Sequence, residues 1–304
     1  MHAPHGGVVP ELAARAHLEN IASVVDAALR PLPGGWDDVD AVAVTRGPGL
    51  IGCLLVGTMF AKSASLARRL PVAGVSHLAG HVYSAWLTDP TLEPPFLVLV
   101  VSGGHTECVE LRDHGDARLL ASTRDDAVGE AFDKVARLLG LPYPGGPAIQ
   151  RTAAEGDGDR FRLPRTRLED GFSFSGLKTA VRYTVRDLGP SRLTDTGVPR
   201  HAADVASLAA AFEVAAVEQL VSGLERAVER TGAQQVAVVG GVAANARLRR
   251  EVQRRFAGLK VVVPALDLCT DNAAMVAAAG WHRLRLRGPD DLSFEADASL
   301  LEFA

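Results

Sequence analysis

Cysteine is scarce in this chain, and long apolar runs are missing. Its 304 residues include three cysteines, Cys53, Cys108 and Cys269, which lie far apart. This odd, scattered set offers neither a CxxC metal site nor a disulfide framework, so we expect reduced thiols, buried as small apolar side chains, in a cytoplasmic protein. No apolar run reaches the roughly 20 residues that cross a bilayer, and the first residues do not form a secretory signal. We therefore expect no membrane association.

The chain also lacks an excess of positive charge, an internal repeat and any low-complexity tract. Its formal net charge is −4 at pH 7, so contact with nucleic acid requires a local basic patch. A basic stretch does occur between residues 160 and 186, and it is either an ordinary solvated surface or a patch that contacts phosphates. Its members are Arg160, Arg162, Arg165, Arg167, Lys178, Arg182 and Arg186.

Three familiar motifs are absent. The glycine-rich segments do not have the GxxxxGK[ST] spacing of a P-loop, and no GxGxxG follows a strand. The run from His77 to His81 resembles the HExxH pattern of zinc proteases, but Leu78 stands where that pattern has its glutamate. Without this carboxylate a peptidase would lack its general base, so the peptidase interpretation loses its mechanism.

The most informative residues that are present are His77 and His81. The preceding run Val72–Val75 predicts a short buried strand. If a helix begins after it, residues four apart share one face, at the strand end where α/β proteins collect their ligands. A coincidental surface pair is the alternative. Asp271, expected at the start of a later helix, is the natural third ligand, and its alternative role is an N-cap. Two imidazoles and a carboxylate suit iron, zinc or manganese.

Strands alternate with helices elsewhere, which predicts an α/β fold. We expect strands at 41–44, 96–101, 108–111, 236–239 and 261–263, with 96–101 and 108–111 forming a hairpin around a glycine-rich tip. A helix is predicted from the turn at 46–49 to about Arg69. Apolar residues at helical spacing predict a long core-facing helix from about Ala202 to Arg230.

Three glycine pairs lie in turns between these elements. They are Gly103-Gly104, Gly145-Gly146 and Gly240-Gly241. Glycine lets the backbone approach a ligand closely, so that amide N–H groups can point at anionic oxygens. Each pair alone is compatible with a plain tight turn. Together, the three pairs favour a nucleotide-like ligand.

The motifs, taken in order, resemble the bacterial TsaD family, also called Gcp and formerly labelled O-sialoglycoprotein endopeptidases. They extend from the first residues to the last predicted helix. The matching runs are Gly6–Ala13, Gly47–Leu50, His77–His81, Ser102–Thr106, Gly129–Lys134, Tyr143–Pro147, Phe174–Lys178, Gly240–Asn245 and Thr270–Ala273.

This resemblance implies a two-lobed actin/sugar-kinase-like (ASKHA) fold with a nucleotide between the lobes. Residues 1–95 and the helix after about 271 would form the first lobe, and residues 96–270 the second. By resemblance, His77, His81 and Asp271 hold one iron ion (Fe²⁺), with zinc as the alternative. The residues that would hold threonylcarbamoyl-AMP are Ser102, Gly103, Gly104, His105, Thr106, Asp133, Gly146 and Asn245.

Several of these residues also have purely structural interpretations. Asp133 binds either a ribose hydroxyl or a neighbouring cation, Lys134 or Arg137. Asn245 caps a helix if it does not contact the nucleotide. At Gln150, where many relatives carry an acidic ligand-contacting residue, this chain departs from the family pattern.

The family's reaction transfers the threonylcarbamoyl group to the exocyclic amine of the adenosine beside the anticodon, in tRNAs that read codons beginning with A, and releases AMP. The implied partners are tRNA, threonylcarbamoyl-AMP, a TsaB-like paralogue that binds the apolar first helices, and a TsaE-like ATPase. The alternatives are a scaffolding paralogue, which would lack the metal ligands, and a sugar or acetate kinase, which has no use for the histidine pair.

The start of the chain departs from the family pattern. Relatives begin with a β-meander that carries a first phosphate loop, and this chain starts after it. Such a meander needs roughly 30 residues, and its loss would leave a sheet edge unpaired. We expect a start that has been assigned too late, and an inactive truncated form is the alternative.

Overall fold

The computed structural model describes residues 9–165 and 168–303. Arg167 of the basic stretch, and the part of the run Gly6–Ala13 before residue 9, lie outside the described residues. The chain divides into two compact units. The first contains the chain up to Leu87, the segment Asp113–Ala117 and the chain from Asn272; the second contains Thr88–Arg112 and Arg118–Asp271.

The first unit is built on two parallel strands. Strand β1 (Val42–Gly47) pairs with β2 (Val72–Ser76), and helix α2 (Ile51–Arg68) connects them. The predicted strands and the helix that ends near Arg69 are confirmed. Before them, α1 (Pro10–Leu29) packs along α2.

Two further helices complete this unit, and both contribute to its core. Helix α3 (His77–Thr88) starts directly where β2 ends, as the sequence predicts, and α10 (Ala273–Arg287) packs on both strands. A Cβ on Gly280 would lie 2.4 Å from the Cβ of Ala43, so α10 approaches β1 as closely as a glycine permits. The buried core beside it contains Ala73, Val75, Ala79, Tyr83 and Ala279.

The second unit is built on a mixed sheet. Strand β3 (Phe96–Val101) pairs antiparallel with β4 (Thr106–Asp113) and parallel with β6 (Gln235–Val239). Within the described residues the strand order is β5-β4-β3-β6-β7, where β5 is Asp116–Ser122 and β7 is Lys260–Val262. The predicted hairpin is confirmed, because Val101 pairs with Thr106 across its glycine tip. The sequence reasoning did not predict β5.

Helix α7 (Ala202–Thr231) runs through the core of the second unit and confirms the predicted long helix. Among the residues the structure describes, it is the one helix long and apolar enough to cross a membrane, and 83% of its most apolar window is buried inside the protein. The other helices of this unit are α4 (Val128–Leu138), α5 (Gly145–Ala153), α6 (Ser175–Asp187), α8 (Ala246–Arg255) and α9 (Leu266–Cys269).

Two short helical turns near the site were not predicted. A 3₁₀ turn (Gly241–Ala244) follows Gly240, and Asn245 is the N-cap of α8, which confirms the structural role predicted for it. The short helix α9 was also missed, and it lies between β7 and Asp271. In both cases the chain forms one helical turn too short to leave a periodic pattern.

Candidate metal centre and substrate pocket

The two histidines of the HLAGH run lie one turn apart at the start of α3. The hydroxyl of Ser76, the last residue of β2, accepts a hydrogen bond from the Leu78 amide at 3.2 Å, so the helix begins without an intervening loop. The ring centroids of His77 and His81 are 4.7 Å apart, with an angle of 71° between the ring planes. His81 is buried and His77 is half-buried. The imidazoles therefore share one face, as the spacing predicts.

Asp271 lies next to the N-terminus of α10. The residue after it, Asn272, is the N-cap, and its side chain accepts a hydrogen bond from the Met275 amide at 2.9 Å. Asp271 is thus not the cap of this helix. One ligand atom from each of His77, His81 and Asp271 lies within 4.8 Å of the other two. The structure therefore brings the three predicted ligands together.

The chemistry and spacing of this group fit a first-row divalent metal ion. Such ions bind histidine nitrogen and carboxylate oxygen at about 2.0–2.2 Å, which places neighbouring ligand atoms about 3.4 Å apart in a tetrahedral site. Small side-chain rotations would bring the three ligand atoms from 4.8 Å or less to that spacing. Three protein ligands leave coordination positions open, as in catalytic sites.

The second unit contains a pocket of about 390 Å³. Each of the three predicted glycine turns contributes one residue to it: Gly103, Gly146 and Gly241. A Cβ added to any of these three would meet no atom within 4 Å, so their backbones face open space. The remaining lining residues are Gly129, Phe132, Asp133, Pro147, Gln150, Val242, Ala244, Asn245 and Leu266.

Other glycines let the backbone segments around this pocket approach one another. A Cβ on Gly129 would lie 2.6 Å from the carbonyl oxygen of Ser102, and one on Gly145 would lie 2.6 Å from the Cα of Asp133. Gly240 has a φ of +95° and would also collide with the backbone of Val101. Larger residues at these positions would push the walls apart, so the glycine-rich sequence is what makes the pocket compact.

The structure separates the predicted substrate-binding residues into two groups. Gly103, Asp133, Gly146 and Asn245 line the pocket, whereas Ser102, Gly104, His105 and Thr106 are not among its described lining residues. The Ser102 hydroxyl accepts a hydrogen bond from the His105 amide at 3.1 Å, and the buried Thr106 hydroxyl accepts one from the Val128 amide at 2.9 Å. These two side chains hold the hairpin tip and α4 in place.

Asp133 is positioned by the turn that precedes α5. Its carboxylate accepts a hydrogen bond from the Gly145 amide at 2.7 Å. Burial raises the pKa of Asp133, and the nearby Glu130 carboxylate adds to this, although the Gly145 hydrogen bond opposes it. Among the described residues Lys134 pairs with Asp126 and Glu130, at 2.7 and 2.8 Å, rather than with Asp133. Asp133 therefore keeps one carboxylate oxygen for the pocket.

Asn245 caps α8 and also lines the pocket. Its Oδ1 accepts a hydrogen bond from the Leu248 amide at 2.9 Å, and its Nδ2 donates to Glu213 at 2.8 Å. Gln150 accepts a hydrogen bond from the Ala246 amide at 2.7 Å, so this side chain also satisfies the N-terminus of α8. The sequence reasoning did not identify Glu213, because it lies 32 residues away, on α7.

Comparison with known proteins decides the family. The model of the TsaD family, described as tRNA N6-adenosine threonylcarbamoyltransferase, matches residues 1–278. The chain belongs to this family. A relative from Gloeobacter violaceus, named tRNA N6-adenosine threonylcarbamoyltransferase, is 50% identical over 305 residues, covering 99% of this chain and 86% of the relative. A relative of the same name from Thermosynechococcus vestitus is 47% identical over 315 residues, covering 100% of this chain and 87% of the relative.

A solved structure shares the fold of this TsaD family member at low sequence identity. It is full-length HypF in a phosphate- and nucleotide-bound form, with a TM-score of 0.60 and 14% identity. The match covers 83% of this chain and 40% of that longer chain. At this identity the likeness concerns the fold alone.

One TsaD motif, the run Phe174–Lys178, has a structural role that its sequence does not reveal. Asp125, which lies just before α4, accepts hydrogen bonds from the hydroxyls of Ser173 and Ser175 at 2.6 and 2.7 Å. It also accepts bonds from the amides of Phe174 and Ser175, at 2.8 and 3.1 Å. These four hydrogen bonds lower the pKa of Asp125 against the opposing effect of its partial burial. Asp125 therefore caps α6 from a distant segment.

Proposed function

We propose that this chain transfers a threonylcarbamoyl group from threonylcarbamoyl-AMP to N6 of the adenosine next to the anticodon in tRNAs that read codons beginning with A. The amine nitrogen forms a bond to the carbamoyl carbon, and the bond from that carbon to the AMP phosphate oxygen breaks. AMP leaves with the electron pair, and the amine gives up one proton to solvent. Atoms and charges balance without a redox partner.

The observation that carries this proposal is the similarity along the whole chain to proteins of that name, together with the grouped His77, His81 and Asp271. A sugar or acetate kinase has no use for this group. A scaffolding paralogue would not need it either. The retained ligand set therefore favours a catalytic chain.

We infer that the metal held by His77, His81 and Asp271 is iron, with zinc as the alternative. When bound, such an ion supplies Lewis acidity that stabilises the negative charge developing on an oxygen of the substrate. Two of the three ligands lie on α3, and the third lies next to α10. Because His81 is buried and His77 begins α3, the packing of that helix fixes the positions of both histidines.

We also propose that the pocket of the second unit holds the adenylate. Asp133 would accept a hydrogen bond from a ribose hydroxyl, since Gly145 uses one of its oxygens and the carboxylate lines the pocket. The amides of Gly103, Gly146 and Gly241, which line the pocket, would donate to phosphate or carbamoyl oxygens. Phe132, Val242 and Leu266 would provide the apolar surface for the base, which stacks on and packs against such side chains.

A protein partner is supported by an apolar surface on α1 and α2. In α2, Ile51, Leu55 and Met59 recur every four residues and are 49%, 48% and 57% exposed. In α1, Leu18 and Val24 are 67% and 62% exposed. Exposed apolar side chains on two helices that pack together, as α1 and α2 do, are typical of interfaces. We assign this surface to a TsaB-like paralogue. The resulting complex would be cytoplasmic and would also include a TsaE-like ATPase. The chain itself would have the ASKHA fold.

The decisive experiment mixes the purified chain, loaded with Fe²⁺ and supplied with the paralogue, with preformed threonylcarbamoyl-AMP and tRNA. The modified nucleoside is then quantified after digestion. We expect stoichiometric AMP release with modification, and a loss of more than about 100-fold on His77→Ala. The matched control is His201→Ala, which removes an exposed histidine that precedes α7 in the second unit. Absence of any modified nucleoside with the unaltered chain would contradict the proposal.

A separate binding measurement tests the partner assignment. Leu55→Glu places a charge in the apolar stripe of α2, and should abolish co-elution with the paralogue without changing the melting temperature of the isolated chain. Glu155→Gln, at an exposed position after α5 in the second unit, is the control. Unchanged co-elution of the Leu55→Glu variant would show that the paralogue does not bind at this surface.

A further inference from the structure

The outer face of α6 carries two arginines around an exposed tyrosine. Tyr183 is 46% exposed. The guanidinium carbons of Arg182 and Arg186 lie 5.4 and 4.9 Å from the centroid of its ring, within cation–π range. The helix is fixed to the protein through its buried residues Leu177, Val181 and Val185. The three exposed side chains, hereafter the α6 platform, therefore extend from a rigid support.

The same two arginines border a small depression. It has a volume of about 250 Å³ and an apolar floor made by Leu138, Val185 and Leu193. This is below the range of about 300–1,000 Å³ that is usual for sites of drug-sized ligands. Its combination of apolar floor and cationic rim suits a planar aromatic group that carries a phosphate.

Two of the four other described members of the basic stretch, Arg160 and Lys178, are already engaged. Arg160 donates to the fully buried carboxylate of Asp204 at 2.5 Å, and Lys178 donates to Asp126 at 3.2 Å. Arg186 contacts Asp187 at 3.0 Å, but both side chains are more than 60% exposed. Such exposed pairs contribute little, so a phosphate can displace Asp187 from Arg186.

We propose that the α6 platform binds an unpaired nucleotide of the tRNA, outside the adenosine that is modified. The base of this nucleotide enters the depression, and the backbone phosphates beside it contact Arg182 and Arg186. Tyr183 is a positioning residue that holds the two guanidinium groups in place. This inference rests on the proposed function, since it concerns the tRNA substrate of the same enzyme. Proteins usually recognise single-stranded RNA by packing unpaired bases against side chains, while cationic side chains such as arginine contact the backbone phosphates.

The test measures tRNA affinity and the KM for tRNA in the transfer reaction, with the full chain and its partners. The double variant Arg182→Ala/Arg186→Ala should raise both Kd and KM about 10-fold or more and leave kcat unchanged. The plot of log Kd against log salt should become shallower by about 0.7–0.9 for each phosphate that the variant no longer binds. Tyr183→Ala should raise Kd roughly threefold, and Tyr183→Phe should behave as the unaltered chain because it keeps the ring.

Two controls separate the outcomes. Arg250→Ala/Arg254→Ala removes two positive charges from α8 in the same unit, and should change Kd by less than about twofold. A duplex RNA, which offers no unpaired nucleotide, should bind the α6 variant as well as it binds the unaltered chain. An equal loss for tRNA and duplex RNA, or an unchanged KM in an active enzyme, would overturn the inference. Absence of transfer by the unaltered chain would instead contradict the proposed function.

Discussion

Glu107 provides a quantitative test of how this sheet buries charge. The residue is 6% exposed in β4, opposite Val100 of β3, and its Oε2 has no hydrogen-bond partner among the described residues. Burial raises the pKa of Glu107 from 4.5 to about 7, although a backbone hydrogen bond at Thr106 opposes the shift. Since the folded state binds this proton more tightly than the unfolded state, ionisation of the carboxyl destabilises the fold.

The sign and size of the effect follow from linkage. Below about pH 4.5 the carboxyl is protonated in both states and costs nothing; the cost then grows as pH rises, and it is complete above about pH 7. With 1.36 kcal/mol for each pKa unit, the full cost is about 3 kcal/mol. Between pH 5 and pH 8 the carboxyl should therefore lower the free energy of unfolding by about 2.5 kcal/mol.

The substitution Glu107→Gln replaces this carboxyl by a neutral group of the same shape. Urea unfolding, followed by circular dichroism, should show that the variant gains about 2.5 kcal/mol relative to the unaltered chain when the pH is raised from 5 to 8. The control Glu19→Gln, at an exposed position of α1, should show no such change. A pH-independent difference in stability between Glu107→Gln and the unaltered chain would show that burial does not raise the pKa of Glu107.

Three further substitutions test packing and capping, each by urea unfolding. Asp204→Ala should cost about 3–5 kcal/mol, because it leaves two arginines around a buried site without their carboxylate; a cost below about 1 kcal/mol would contradict this. Asp125→Ala should lower the free energy of unfolding by about 2 kcal/mol and speed amide hydrogen exchange at the start of α6. Unchanged exchange would show that Asp125 does not cap this helix. Gly280→Ala should cost about 1–3 kcal/mol through its overlap with Ala43, whereas Gly258→Ala, which meets no atom within 4 Å, should cost less.

Much of the fold was predictable because its signals are local. The β3–β4 hairpin and the 30-residue helix α7 follow from contiguous apolar patterns and a glycine tip. The histidine pair was also predictable, since a strand followed at once by a helix fixes both the spacing and the face of His77 and His81. The gathering of three glycine turns at one pocket follows from their positions at strand ends and helix starts.

The rest depends on contacts between residues far apart in the sequence. Asp125 caps a helix that begins 50 residues later, and no local pattern identifies such a partner. The same holds for Glu213, which binds the side chain of Asn245. Strand β5 has a mixture of polar and apolar residues that is half-exposed in the sheet, so its pattern lacked the apolar run that identified β3. Thr106 matched the motif but is buried in a structural hydrogen bond.

The most direct measurement is an anaerobic calorimetric titration of the metal-free chain with Fe²⁺, repeated with Zn²⁺. We predict one high-affinity site per chain, and a loss of affinity of at least about 100-fold in each of His77→Ala, His81→Ala and Asp271→Ala. His17→Ala should bind the metal as the unaltered chain does. Tight binding of one ion that survives all three substitutions would contradict a shared site.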